Sequence, residues 1–325
     1  MREKLKNWLW FHYPNLALGL TADIHNRNPF HDYGRLIESL CSVPDITVVH
    51  LSNLMKPQLS QQKVVSIRHD VDSDIHTAMK MSEIERKAGI GASYYFLPSA
   101  PYYRIRSRGE FLRSSLLGSY IKRIQKNGGE IGIHIDCLGD SLKYNLEPAK
   151  SLADELSWLR SLGATVIGCA SHASYYVYGA ANFEVIEGYA IENREQFTDR
   201  NGKSVKLGTE KMGDHGLQYE ANYLNECYFG KVPTHKYAVG LDGMMEVMVR
   251  AYDYQYSIYG YNEWCVIDHR DLRKTGAYNL RIVQTDQMIS ELKHLSEPVR
   301  TVIDIHPIYY GKTYGRAILN FIRGL

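Results

Sequence analysis

The chain has no Cys-x-x-Cys pair. Its five cysteines, Cys41, Cys137, Cys169, Cys227 and Cys265, are scattered and odd in number. That usage argues against a disulfide framework and fits reduced thiols in the cytoplasm. An excess of either charge is missing as well. A formal net charge of +2 over 325 residues gives no basis for nucleic-acid binding. Long apolar runs are also lacking. Met1 to Leu20 starts basic and reaches Trp8-Leu9-Trp10-Phe11, but His12, Tyr13, Pro14 and Asn15 interrupt the run too early for a signal peptide or a transmembrane helix. Repeats, low-complexity tracts and an obvious linker are absent too, so one large domain is expected.

What is present in quantity is tyrosine, 25 residues. Tyr offers stacking area with a polar tip, which suits a carbohydrate-lined cleft but also an ordinary strand. Residues 1–60 read as a preamble packed on the main body, with a helix over Tyr33–Cys41 and a short strand over Ile46–Val49. From there strands and helices alternate. Strands are expected at Val64–Arg68, Ala92–Leu97, Glu130–Ile135, Thr165–Cys169, Cys265–Asp268 and Thr301–Ile305. Helices are expected at about 74–88, 110–127, 146–162 and 284–295. That rhythm predicts α/β architecture with a parallel sheet. Residues 175–262 break it and read as an irregular insertion with a hairpin around Asp199–Lys203. The Met-rich Gly243–Met248 reads as a packing helix and Arg104–Arg108 as a solvated loop. The terminal 313–325 segment reads as a packing helix that leaves open peripheral contact with a membrane surface.

Polar groups gather where these strands end. Asp70 and Asp72 follow Val64–Arg68, and His134 and Asp136 close Glu130–Asp136. His172 follows Thr165–Cys169. Asp268, His269 and Arg270 follow Cys265–Ile267, and His306 follows Ile305. In a parallel α/β barrel the carboxyl ends of the strands are where active sites assemble. Strand side chains alternate, so Asp70 and Asp72 share one face, and so do His134 and Asp136. Two neighbouring carboxylates repel unless a cation or a shared proton relieves them. That favours one Asp holding a metal and the other handling a proton. Imidazole with carboxylate suits Zn²⁺ or another divalent ion, and a carboxylate base with an imidazole acid would complete a hydrolysis.

Three segments resemble the polysaccharide deacetylase (NodB homology, carbohydrate esterase) superfamily: Arg68-His69-Asp70-Val71-Asp72, Glu130-Ile131-Gly132-Ile133-His134 and Asp304-Ile305-His306-Pro307. The likeness is to its divergent members, often encoded among O-antigen and capsule biosynthesis genes, and spans roughly residues 30–310. It implies a distorted (β/α) barrel over 61–312 and metal-dependent removal of an acyl group from an N-acylated sugar, nucleotide- or lipid-linked. By position, Asp70 matches the catalytic base, Asp72 and His134 match metal ligands, and His306 matches the general acid. The family's second metal histidine falls four residues after the first, and here that position is Leu138. His172 is the favoured third ligand and Asp136 the alternative. Ser171-His172 lies where the third motif presents an Arg. Asp268-His269-Arg270 and Glu220 are both candidates for the fourth-motif carboxylate. Tyr175, Asp268, Arg270 and Tyr309 are the expected substrate contacts. Leu138 also admits a rival, a non-catalytic relative that binds a glycan or a biosynthetic partner. An esterase or deformylase using the same centre is a third reading.

Overall fold

The computed structural model describes residues 29–54, 56–172, 180–190, 194–199, 201–221, 253–260, 262–275 and 280–310. In chain order they form α1 (Pro29–Cys41), β1 (Ile46–Val48), β2 (Lys63–Val71), α2 (Ile75–Lys87), β3 (Ser93–Phe96), β4 (Arg104–Ser107), β5 (Glu110–Arg113), α3 (Leu117–Lys126), β6 (Glu130–Ile135), α4 (Cys137–Tyr144), α5 (Pro148–Ser161) and β7 (Gly168–Ser171). Then follow β8 (Gln196–Thr198), β9 (Ser204–Lys206), β10 (Tyr219–Glu220), β11 (Tyr254–Gly260), β12 (Glu263–Asp268), α6 (His269–Thr275), β13 (Leu280–Gln284), α7 (Thr285–His294) and β14 (Val299–Ile305). Met1–Leu20, Gly243–Met248, 313–325 and Tyr175 lie outside the described residues, as does the side chain of Tyr309.

The sheet runs β10-β7-β6-β3-β2-β14-β11-β12-β13, with β1 beside the start of β2. Every pairing from β10 to β11 is parallel. Beyond β11 the pairings with β12 and β13 are antiparallel. Among the described residues the sheet is open, with β10 and β13 at its edges. The expected α/β architecture with a mostly parallel sheet is present, and among the described residues the sheet does not close on itself, since β12 and β13 extend it as an antiparallel meander. Among the described residues no helix is long and apolar enough to cross a membrane.

The sheet's two faces bury different sets. Val65, Ile67 and Val71 of β2, Tyr94 and Phe96 of β3 and Ile131, Ile133 and Ile135 of β6 join a large core with α1, α2 and α3. The other face collects Val64, Tyr95, Ala170, Tyr219 and Val302 into a smaller cluster. These sets alternate along each strand, as a pleat buried on both sides requires. Helix α1 adds Tyr33, Leu36, Ile37 and Leu40 to the large core at i, i+3, i+4 and i+7 spacing. Helix α2 starts at Asp74, whose carboxylate accepts from the Thr77 amide at 3.0 Å and the Thr77 hydroxyl at 2.6 Å.

Two expectations fail around residue 108. The segment 110–113 is a strand, and α3 begins only at Leu117. Arg108 and Gly109 take φ of 50° and 89°, the two successive positive values of a tight hairpin turn between β4 and β5. Nor is Arg104 a solvated loop residue. It is buried, donates to Asp140 Oδ2 at 2.6 Å and Glu155 Oε1 at 2.5 Å, and so staples the hairpin to α4 and α5. The expected hairpin at 199–203 is present as β8 and β9, with Asp199 Oδ1 accepting from the amides of Asn201 and Lys203 at 2.8 Å each.

Candidate metal centre

The centre is built outward from the end of β2. Arg68, Asp70 and Asp72 occupy alternate positions and share the face of the smaller cluster. Arg68 clamps Asp70 with two parallel hydrogen bonds, Nε to Oδ1 at 2.8 Å and Nη2 to Oδ2 at 2.6 Å, and both residues are buried. On the opposite face His69 Nε2 meets Glu85 Oε1 at 2.6 Å. The hydroxyls of Tyr33 and Tyr94 donate to the same carboxylate at 2.5 and 2.6 Å. Burial, together with the Glu85 charge, pushes both phenols well above their usual range. This cluster ties β2 to α1, α2 and β3 from behind.

His134 enters from β6 and is fully buried. Its Nδ1 lies 2.9 Å from the Ala170 carbonyl. A carbonyl only accepts, so Nδ1 carries a proton and Nε2 is turned toward Asp72 Oδ1 at 3.3 Å and Asp70 Oδ2 at 3.6 Å. His172 stands just past β7, its amide donating to the Ile135 carbonyl at 3.0 Å. Its Nε2 lies 3.8 Å from Asp72 Oδ1, and its ring meets His134 edge-on, centroids 5.1 Å apart. His306, past β14, brings Nε2 to 3.5 Å from Asp72 Oδ2 and is the most exposed of the three histidines, at 23%.

Asp72, His134 and His172 each offer one ligand atom, and these atoms lie within 4.8 Å of one another. Asp72 Oδ1 and His134 Nε2 are buried without a hydrogen-bond partner. Buried polar atoms are ordinarily satisfied, so two orphans facing each other across one gap fit a cation between them. One carboxylate and two imidazoles, all buried, can hold a metal ion, and that donor set is one that divalent zinc accepts. Asp136, at the end of β6, accepts from Ser99 Oγ at 2.7 Å and Asn182 Nδ2 at 3.3 Å.

The charges are set by their neighbours. Burial alone would raise the carboxyls of Asp70 and Asp72. Arg68 and His134 outweigh it at Asp70, and His134, His306 and His172 outweigh it at Asp72, so both stay below the usual carboxylate range. Asp136 stays low in the same way, burial being overcome mainly by His172. For His134, burial opposes the charged form, but Asp70 and Asp72 overcome it and lift its pKa to about 9.

Asp268 and Arg270 stand apart. Because β12 is antiparallel, Asp268 lies opposite Tyr254, which lies opposite Thr301, which lies opposite Val65. That is five residues back from Asp70 along β2, about 17 Å at ~3.3 Å per residue. At that far edge Asp268 Oδ1 accepts from the amides of Arg270 and Asp271, while Arg270 pairs with Glu297 and the Tyr254 hydroxyl. Glu220, on β10, is fully buried and accepts from the Ser171 amide at 2.9 Å, beside His172. Leu138 is buried in the large core on α4.

Sequence reasoning missed Arg68 as the partner of Asp70, although their i, i+2 spacing on one strand was the available signal. Asp304 was missed too, two residues before His306 and 3.8 Å from Arg68 Nε. For Ser99 and Asn182 no local pattern existed. Comparison with protein-family models, curated proteins and solved structures finds no match to this chain.

Proposed function

We propose that the chain is a metal-dependent hydrolase of the polysaccharide deacetylase type, which removes an acyl group, acetyl foremost, from an N-acylated sugar. The observation that carries this reading is the meeting of Asp72, His134 and His172 from three separate strand ends, beside a second carboxylate held ionised by Arg68. The parallel run from β10 to β11 supports a distorted (β/α) barrel, and the resemblance of the three motifs supports a nucleotide- or lipid-linked substrate in cytoplasmic steps of surface-polysaccharide assembly.

Zn²⁺ is the proposed ion, and when bound it supplies a Lewis acid for the amide carbonyl and lowers the pKa of a water molecule. The remaining work falls to the chain. Asp70, kept ionised at neutral pH, accepts the proton that the attacking water loses. His306, at the more open side of the centre, gives a proton to the nitrogen as the C–N bond breaks, so the amine departs neutral. Burial of Asp72 and His134 keeps bulk solvent from the charges that develop.

The test is metal analysis of the purified chain together with acetate and formate release from a panel of nucleotide-activated N-acyl sugars. One equivalent of zinc is expected, lost in Asp72→Ala and His134→Ala. Acetate release should fall by about a hundredfold or more in Asp70→Asn and in His306→Ala. Protein that holds no metal yet binds glycan would overturn the proposal in favour of the non-catalytic relative.

A further inference from the structure

His172 is flanked by two carboxylates, one on each side of its ring. Nε2 lies 3.8 Å from Asp72 Oδ1, and Nδ1 lies 3.9 Å from Asp136 Oδ1. The ligand atoms that converge include Asp72 and His134 but not Asp136. Asp136 is 3% exposed, and three features hold its carboxylate against α4. Ser99 donates to Oδ2. Asn182 donates to Oδ1 while its own amide oxygen accepts from the Leu138 backbone. Gly139 leaves the space: a Cβ there would sit 2.4 Å from Asp136 Oδ1 and 2.8 Å from its Cγ. A buried carboxylate given this much support at one orientation is built to act on what it faces, and it faces the imidazole Nδ1.

We infer that Asp136 is a positioning residue for His172, and that it acts from outside the metal's own ligand set. An anion beside Nδ1 keeps the ring proton there and leaves the Nε2 lone pair directed at Asp72, the side on which a cation such as Zn²⁺ would bind. The inference rests on the metal reading proposed above, and it explains how a histidine from β7 can stand in for the one that Leu138 replaces. It makes Gly139, Ser99 and Asn182 determinants of metal affinity although none of them touches the ion.

The experiment is zinc affinity of the whole, chelator-stripped chain, measured by competition with a chromophoric chelator. Asp136→Asn should weaken zinc by about 10- to 100-fold with stoichiometry unchanged. Gly139→Ala should weaken it comparably, although it removes neither charge nor ligand. In a His172→Ala background, Asp136→Asn should cost less than about twofold further, because the residue has nothing left to orient. Ser99→Ala, a milder change, covers the case in which Asp136→Asn does not fold, and should cost several-fold. Unchanged affinity in Asp136→Asn overturns the inference, and so do effects of Asp136→Asn and His172→Ala that simply multiply. Loss of the bound equivalent in Asp136→Asn but not in His172→Ala makes Asp136 the ligand and overturns it too. Zinc uptake that follows the expected pattern without acyl release would sink the hydrolase reading alone.

Discussion

Metal-free protein should lose stability as the medium turns mildly alkaline, and His134 is the reason. In the unfolded chain its imidazole titrates near 6.5, whereas between Asp70 and Asp72 it titrates near 9. Below 6.5 both states carry the proton, and the favourable pairing of the imidazolium with the two carboxylates is present in full. Between 6.5 and 9 the native state binds one proton more than the unfolded state, so stability falls by about 1.4 kcal/mol per pH unit. The total lost by pH 9 is about 3 kcal/mol. On the proposed function zinc has to displace that same proton, so its apparent affinity should rise about tenfold per pH unit over the interval, with nearly one proton released per ion at pH 7.5. Urea unfolding of chelator-treated protein at half-unit steps from pH 6 to 9.5, beside His134→Gln, isolates the effect, because other titrating groups are common to both. Calorimetric zinc titrations in buffers of different ionisation enthalpy count the proton. Equal pH slopes for the wild type and His134→Gln would refute the assignment of a high pKa to His134, whatever the metal does.

Other perturbations follow from the same contacts. Arg68→Met strands the buried Asp70 carboxylate and should cost about 3–5 kcal/mol by urea denaturation, most of it recovered in the double variant Arg68→Met/Asp70→Asn. A loss under 1 kcal/mol would show that the clamp carries little. Asp70, Asp72 and Asp136 all have native pKa values below their unfolded ones, so their stabilisation is complete above about pH 4 and is lost as the pH falls below that, visible as acid unfolding that Asp136→Asn blunts. Gly168→Ala places a Cβ 2.0 Å from the Tyr219 ring and should cost about 1–3 kcal/mol while loosening β10. Unchanged hydrogen exchange at Tyr219 and Glu220 would contradict that.

Much of the centre was legible because strand ends mark themselves. Val64, Val65 and Ile67 announce β2, and a polar group directly after such a run has to lie at the sheet's edge. Asp72, His134, His172 and His306 meet on that rule. The same rule misplaced Asp268 and Arg270, since the residues of β12 encode a strand but not its direction, and an antiparallel partner turns its carboxyl end to the far side. The expected helix starts too early, ahead of α3, because Phe111 and Leu112 fit either period, whereas the positive φ of Arg108 and Gly109 sets a turn ahead of them. That the sheet ends at β13 among the described residues has no local signal. The supports of Asp136 could not be found either, because Ser99 and Asn182 approach it from 37 and 46 residues away.

Strand β2 carries two unrelated sets of side chains on a nine-residue length. Even-numbered positions hold the chemistry, and odd-numbered positions hold the Glu85 cluster and the large core. Adding or deleting one residue inside it would swap the two sets, driving Arg68 and Asp70 among the helices and turning His69 to the face of the candidate metal centre. Descendants of this chain can therefore vary in length before Lys63 or beyond the turn at Ser73, but not between them. Tyr33, Glu85 and Tyr94, tied together behind the sheet, act as a ratchet stop that keeps Arg68 and Asp70 on the side of His134.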